Sequence, residues 1–207
     1  MNPRQTKVRQ PNVRQRVVAA AAEMLARHGL NSTSIREVTR RAKAPFGSTY
    51  HYFPQGKEQV VVEAVAFAGA YVSENLERHL QAGPVEGLRG FLRMWREVLI
   101  RSDFRMGCPV MAVAVEEPMG EVARKALDTA AGVFATWLSK LTAALELHGR
   151  DARSAAELAT LIVASVEGAI VLCRAQKSIS PFDKVARQLE SLLGPPKVSL
   201  TTPSTRP

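Results

Sequence analysis

Apolar residues recur every three or four positions along nearly the whole chain, and no strictly alternating run or repeat period stands out. That spacing is the signature of helices that bury one face. Val17, Val18, Ala21 and Leu25 form one stripe in a helix predicted from Val13 to His28, with Gly29-Leu30 as its stop. Ser34-Ile35-Arg36-Glu37 reads as a capping box opening a short helix, Ile35 to Arg41. A second short helix starts at Pro45, a residue favoured at the first helical turn, and ends near Tyr52, before Pro54 and Gly56. A long helix runs from Lys57 to His79, and Gly83-Pro84 breaks it. Val85, Leu88, Phe91, Leu92, Trp95, Val98 and Leu99 mark the next helix. Gly107-Cys108-Pro109 opens a short apolar one ending near Glu117. Glu121 to Leu147 is long, with Val122, Leu127, Phe134, Trp137, Leu138, Leu141 and Leu145 turned inward. Ser154 to Glu157 is a second capping box, before a helix apolar nearly all round. Ser180-Pro181-Phe182-Asp183 caps the last helix, whose stripe is Phe182, Val185, Ala186, Leu189, Leu192 and Leu193. The expected fold is all-α with about nine helices: a three-helix N-terminal head on a larger helical body.

Composition narrows the class. The 207 residues are 46% hydrophobic, enough to build a real core and too much for global disorder. Two cysteines, Cys108 and Cys173, exclude a disulfide scaffold, and four scattered histidines form no ligand pair, so no metal or other cofactor is expected. The N-terminal VVAAAA run is interrupted too soon for a secretory signal. The apolar run 158–173 is short of a bilayer span and carries Glu167, so a cytoplasmic protein is expected, associated with the nucleoid when DNA-bound.

The net charge of +9 is concentrated at one end. Residues 1–57 hold 11 Lys and Arg against 2 acids, and the remainder holds 17 of each sign. A basic small unit on a neutral large one points to a polyanion-binding head, or else to a solubilising segment. Two short helices joined by a tight turn inside this segment fit a helix-turn-helix. The second helix, Pro45-Phe-Gly-Ser-Thr-Tyr-His-Tyr52, is rich in small residues that allow close approach to a duplex. Tyr50 and His51 can reach phosphates or base edges, or can anchor the head to the long helix. Lys57 opens that long helix, where free amides and a cation together suit a phosphate.

Residues 33–60, TSIREVTRRAKAPFGSTYHYFPQGKEQV, resemble the DNA-binding signature of TetR-type bacterial repressors. Ala44-Pro45, the run from Tyr50 to Pro54, Gly56 before Lys57-Glu58-Gln59, and the later stretch from Gly107 to Glu116 resemble the LmrA/YxaF-type branch. The resemblance implies a homodimeric regulator whose last two helices form the dimer interface. It also implies a ligand cavity among helices four to eight, through which a bound effector moves the fourth helix and spreads the heads. Three positions depart from the pattern. Lys43 stands where the family usually has Gly, Phe46 where it has a basic residue, and Thr49 where Leu is common.

The expected units are a basic arm over 1–11, a DNA-binding head over 12–56, a ligand-binding and dimerisation body over 57–193, and a loose tail over 194–207. The DNA-facing set is Thr33, Arg36, Pro45, Phe46, Gly47, Ser48, Thr49, Tyr50, His51 and Lys57. Arg4, Lys7 and Arg9 form either a minor-groove arm or an idle tail. Phe67, Tyr71, Phe91, Met94, Trp95, Met111, Phe134 and Trp137 supply either core or the lining of an aromatic cavity. Glu167, in an apolar helix, orients a ligand, bridges a dimer or snorkels to water. Cys108 is either a redox-sensing thiol or a small buried residue. Excess apolar surface at Val163, Val166, Ile170 and Val171, joined by Phe182, Val185 and Leu189, marks a two-fold interface. These features predict a repressor that binds a palindromic operator as a homodimer and is released by a small aromatic or apolar effector. The alternatives are an effector-independent architectural DNA-binding protein or a helical enzyme, and the latter has no nucleophile constellation or phosphate loop to support it.

Overall fold

The computed structural model describes residues 12–117 and 119–193. The expected arm and tail lie outside the described residues. Nine helices occur among those described, and no strand: α1 Val13–His28, α2 Ile35–Arg41, α3 Phe46–Tyr52, α4 Lys57–Leu80, α5 Pro84–Arg101, α6 Pro109–Ala114, α7 Glu121–Leu147, α8 Ala152–Gln176 and α9 Ser180–Leu193. α4 runs through the centre and packs on α1, α5 and α7, while α8 lies between α7 and α9.

Local chemistry sets the ends. Asn12 caps α1 in a full capping box with Gln15, two reciprocal bonds of 2.9 and 3.1 Å. The box expected at Ser34 is half formed. Ser34 Oγ accepts from the Glu37 amide at 3.3 Å, but the Glu37 carboxylate turns to Arg40 instead of reaching back. The box expected at Ser154 does not form. Asp151 caps α8, accepting from the Ser154 amide at 3.0 Å, and Glu157 pairs with Arg153. At α9 the Ser178 hydroxyl accepts from the Ser180 amide at 3.2 Å, so the cap lies two residues earlier than expected.

Lys43 holds the left-handed conformation that the turn between α2 and α3 requires, with φ of 50°. An L side chain there costs about 1 kcal/mol relative to glycine. Lys43→Gly is therefore expected to stabilise the protein by about 1 kcal/mol, read as a higher urea midpoint at unchanged m.

The core is one continuous cluster. Trp137 is completely buried, stacks edge-on against Phe91 and Phe134, and donates its indole N–H to the Gly69 carbonyl at 3.2 Å. α8 is long and apolar enough to cross a membrane by length and composition, being longer than the apolar run within it, yet half of its most apolar stretch is buried inside this fold. Its inward face corrects the expected interface. Val163, Val166 and Ile170, with Phe182 and Leu189 of α9, are buried within the single chain, because α7, α8 and α9 cover one another there. Val171 remains half-exposed, Val185 is half-buried, and the apolar residues left facing outward are Leu161, Val171, Leu172 and Leu192.

Candidate nucleic-acid interface and ligand cavity

α1, α2 and α3 form the N-terminal unit. Phe53, just beyond α3, is fully buried under the Arg14 guanidinium, 5.7 Å from its ring centre, and fixes α3 to the body of the molecule. This leaves one face of α3 outward. Phe46 (49% exposed) and Tyr50 (51%) stack edge-on at 5.6 Å, His51 is exposed beside them, and a side chain at Gly47 would meet only open space. Ser48 lies in the same helix, after the cap Pro45. Arg36 and Phe46 border one surface depression between α2 and α3.

Two expected DNA-facing residues point the other way. Thr49 is 1% exposed, and its hydroxyl donates to the Pro45 carbonyl at 3.1 Å. Thr33 is also buried, donating to the Gly29 carbonyl at 2.7 Å. The Thr33 hydroxyl closes the end of α1 and the Thr49 hydroxyl bonds back along α3, so neither offers a group to a duplex. Lys57 does open α4, but its ammonium is half-buried and donates to the Leu30 carbonyl at 3.3 Å. It braces the α1–α2 turn as well as adding charge.

Much of the basic excess is paired internally. Arg14 meets Glu63 at 2.7 Å, Arg40 meets Glu37, and Glu23 receives both Arg27 and Arg41. The Arg41 bond, with the Arg27 bond after it, outweighs partial burial and holds the Glu23 carboxyl below its usual range. Arg36 and Lys43 make no ion pair among the described residues.

A cavity of about 210 Å³ lies where α1 meets α4, α5 and the segment before α6. Phe67, Tyr71, Met94 and Trp95 line it, with Ala22 and Ala26 of α1, Ala68 of α4 and Gly107. The other expected lining residues lie elsewhere: Phe91, Phe134 and Trp137 form the aromatic core, and Met111 packs half-buried against it. Of the expected helices four to eight, α4, α5 and the start of α6 line this cavity, α7 and α8 contribute nothing to it, and α1 takes their place.

Glu167 is only 7% exposed and lines no wall of that cavity. Neither carboxylate oxygen has a hydrogen-bond partner among the described residues, and burial pushes its pKa up to about 7. The Cys108 thiol lies near enough to favour the charged form slightly, without a bond of ordinary geometry. Snorkelling is thus excluded for Glu167. Cys108 caps α6, its sulfur accepting from the Met111 amide at 3.5 Å; burial, followed by the Glu167 charge, drives its thiol well above the ordinary range. That is the reverse of an activated sensor thiol.

One feature is invisible to sequence spacing. The C-terminal end of α1 is clasped by groups from far along the chain. The Gly107 amide donates to the Ala26 carbonyl at 3.0 Å, and Arg174 donates to the Arg27 carbonyl at 3.3 Å. The Glu116 carboxylate accepts from the amides of Leu30 and Asn31, the latter at 3.1 Å. Gly29 bends the chain into this clasp with φ of 77°, and a side chain there would strike the Glu116 carboxylate.

A bihelical reading element with an exposed second helix, mounted on a larger all-helical body, defines a helix-turn-helix transcriptional regulator. Similarity to known proteins narrows this to a family. The model of bacterial regulatory proteins of the tetR family matches residues 17–64, and that of the LmrA/YxaF-like transcriptional regulator C-terminal domain matches residues 84–188. The chain belongs to the tetR family, in its LmrA/YxaF-like branch. It is 37% identical over 183 residues to an uncharacterized HTH-type transcriptional regulator of Mycobacterium tuberculosis, covering 87% of this chain and 93% of that one. It is 27% identical over 187 residues to the HTH-type transcriptional regulator LmrA of Bacillus subtilis, covering 87% and 96%. Among solved structures, regulatory protein TetR from Rhodobacter sphaeroides superposes with a TM-score of 0.76 at 25% identity, covering 86% of this chain and 97% of that one.

Proposed function

We propose that this regulator is a repressor that binds a near-palindromic operator as a homodimer and is released by a small aromatic or apolar effector. The reading head spans 12–56 and the ligand-binding and dimerisation body spans 57–193. The observation that carries the DNA half is the outward face of α3, where Phe46, Tyr50 and His51 stand exposed although Phe53 anchors the same turn in the core. Large side chains left in water on an anchored helix suit a groove. A two-fold pair of such heads meets successive major grooves about 34–36 Å apart.

The dimer half rests on α8 and α9. Leu161, Ala164, Gly168, Val171 and Leu172 are exposed along one face of α8, and Leu192 is exposed on α9. Small residues among these let a second copy approach closely. An interface of ordinary size, about 1,600 Å², is expected to cover them.

Fluorescence anisotropy at two salt concentrations tests the reading head. Tyr50→Ala or His51→Ala is expected to narrow the gap between operator and random DNA, by ~1–3 kcal/mol for each base no longer read, at an unchanged salt slope. Lys57→Ala is expected to weaken all sequences alike and to flatten the slope of log K against log salt by about one unit. Unchanged binding in all three variants would place the reading head elsewhere. The repressor reading is tested by transcription from an operator-bearing promoter, where adding the protein is expected to lower output.

A further inference from the structure

The leading side chain on the outward face of α3 has no polar atom. Phe46 is the first residue of that helix and is 49% exposed, and the leading residues of a recognition helix are the ones that reach base edges. A phenyl ring offers no hydrogen-bond donor or acceptor of the kind that pairs with a base edge. It is therefore blind to almost all of the pattern that the major groove displays. The exception is the C5 methyl of thymine, the one apolar group that a base pair presents there. Contact between ring and methyl removes apolar surface from water on both sides.

The ring is also held in place. Tyr50 lies one turn along the same face and meets Phe46 edge-on, with 5.6 Å between centres and 88° between planes. This neighbour restricts the Phe46 ring before any DNA arrives, and buried Phe53 pins α3 itself. About half of the Phe46 surface stays open in spite of the contact. A side chain at Gly47, the next residue, would meet only open space, so the helix backbone can approach a duplex closely there. Arg36, which makes no ion pair among the described residues, borders the same depression as Phe46. A cation suited to a phosphate thus stands beside the apolar ring.

We propose that Phe46, positioned by Tyr50, reads the C5 methyl group of one thymine in each operator half-site. The group recognised is the methyl and not the base. Uracil, which presents the same hydrogen-bonding edge without the methyl, is discriminated against. At the same place 5-methylcytosine is preferred to cytosine. This inference rests on the operator-binding reading above and adds to it the chemical group that is read.

The test uses the full chain. Preferred duplexes are selected from a random-sequence pool, and the thymines of the consensus are then replaced by uracil one at a time on either strand. In anisotropy titrations the parent protein is expected to show one thymine per half-site whose replacement weakens binding about fourfold, and about 15-fold with uracil in both half-sites, the worth of burying one and two methyl groups. The loss should be the same at two salt concentrations, because no charge is removed. Placed at that position, 5-methylcytosine should bind better than cytosine by a similar factor. Phe46→Ala should bind the thymine and uracil operators equally. Tyr50→Ala should lower their ratio to about twofold through loss of the edge-on contact, and Tyr50→Phe should restore the parent ratio. The uracil scan of the parent protein needs no variant, so the proposal stays testable if a substitution unfolds the chain. Absence of a uracil effect at every position would overturn the proposal and leave the operator reading in place. So would an effect that persists in Phe46→Ala, since it would report duplex shape. A selection that enriches no sequence would overturn both.

Discussion

Leu172→Glu is expected to yield a folded monomer that binds operator DNA about 100-fold more weakly than the parent protein. Leu172 is 49% exposed and shares the outward face of α8 with Leu161, Ala164, Gly168 and Val171. A carboxylate there stays hydrated in the monomer, because the position is not part of the buried core. Across a two-fold interface the same charge would be desolvated, and its symmetry mate would meet the same surface. Once the dimer separates, the second head no longer benefits from the high local concentration that linkage provides, and that effect commonly contributes 10²–10⁴ in apparent affinity. Light scattering at micromolar protein reads the assembly, circular dichroism checks the fold, and anisotropy reads the DNA. A variant that remains dimeric and binds normally would put the interface on another face.

Glu167→Gln is expected to remove a pH dependence of stability worth about 2–3 kcal/mol between pH 5 and 8. The folded state keeps the Glu167 proton up to about pH 7, because burial without a partner penalises the charge. The unfolded chain releases it near the ordinary value of 4.5. Between those values the folded state holds more protons than the unfolded one, so stability falls as pH rises and levels off above 7. The cost of the buried charge is absent in acid and largest in base, whereas a carboxylate held by a salt bridge gains stability as pH rises through its titration. A glutamine does not titrate there. Whatever constant cost its buried amide brings, the variant should lose this slope. Urea midpoints of both proteins at pH 5 and pH 8 decide it, and parallel behaviour would show that Glu167 is hydrated or paired in solution.

Most helix boundaries are legible in the sequence because caps and breakers act within a turn. α1, α2 and α7 begin and end where their apolar stripes, the Gly29 stop and the Ser34 cap predict. The left-handed Lys43 is implied only by the family resemblance, in which glycine usually stands at that turn position. Facing is harder. α3 is two turns long, and Thr49 and Tyr50 are adjacent, so spacing alone does not say which of them turns inward; packing of Phe53 decides it. α8 is apolar nearly all round, and spacing wrongly places its inward valines at the interface because only the arrival of α7 and α9 separates its two faces. The cavity and the Glu23–Arg41 pair depend on elements distant in sequence, which no local pattern encodes. The internal pairing of head arginines has a faint signal in the i,i+3 and i,i+4 spacings of Glu37–Arg40 and Glu23–Arg27.

The clasp at the end of α1 has a consequence for the order in which the protein is completed. The last carbonyls of a helix need partners from outside it. For α1, those partners come from Gly107 and Arg174, the latter 147 residues further along the chain. At synthesis rates of roughly 5–20 residues per second, the head emerges on the order of 10 s before Arg174 has been made. During that interval the Arg27 carbonyl lacks its Arg174 partner, and for part of it the Leu30 amide lacks Glu116. A nascent head therefore does not reach its final seat until nearly the whole body has been translated, which ties the geometry of DNA reading to completion of the chain.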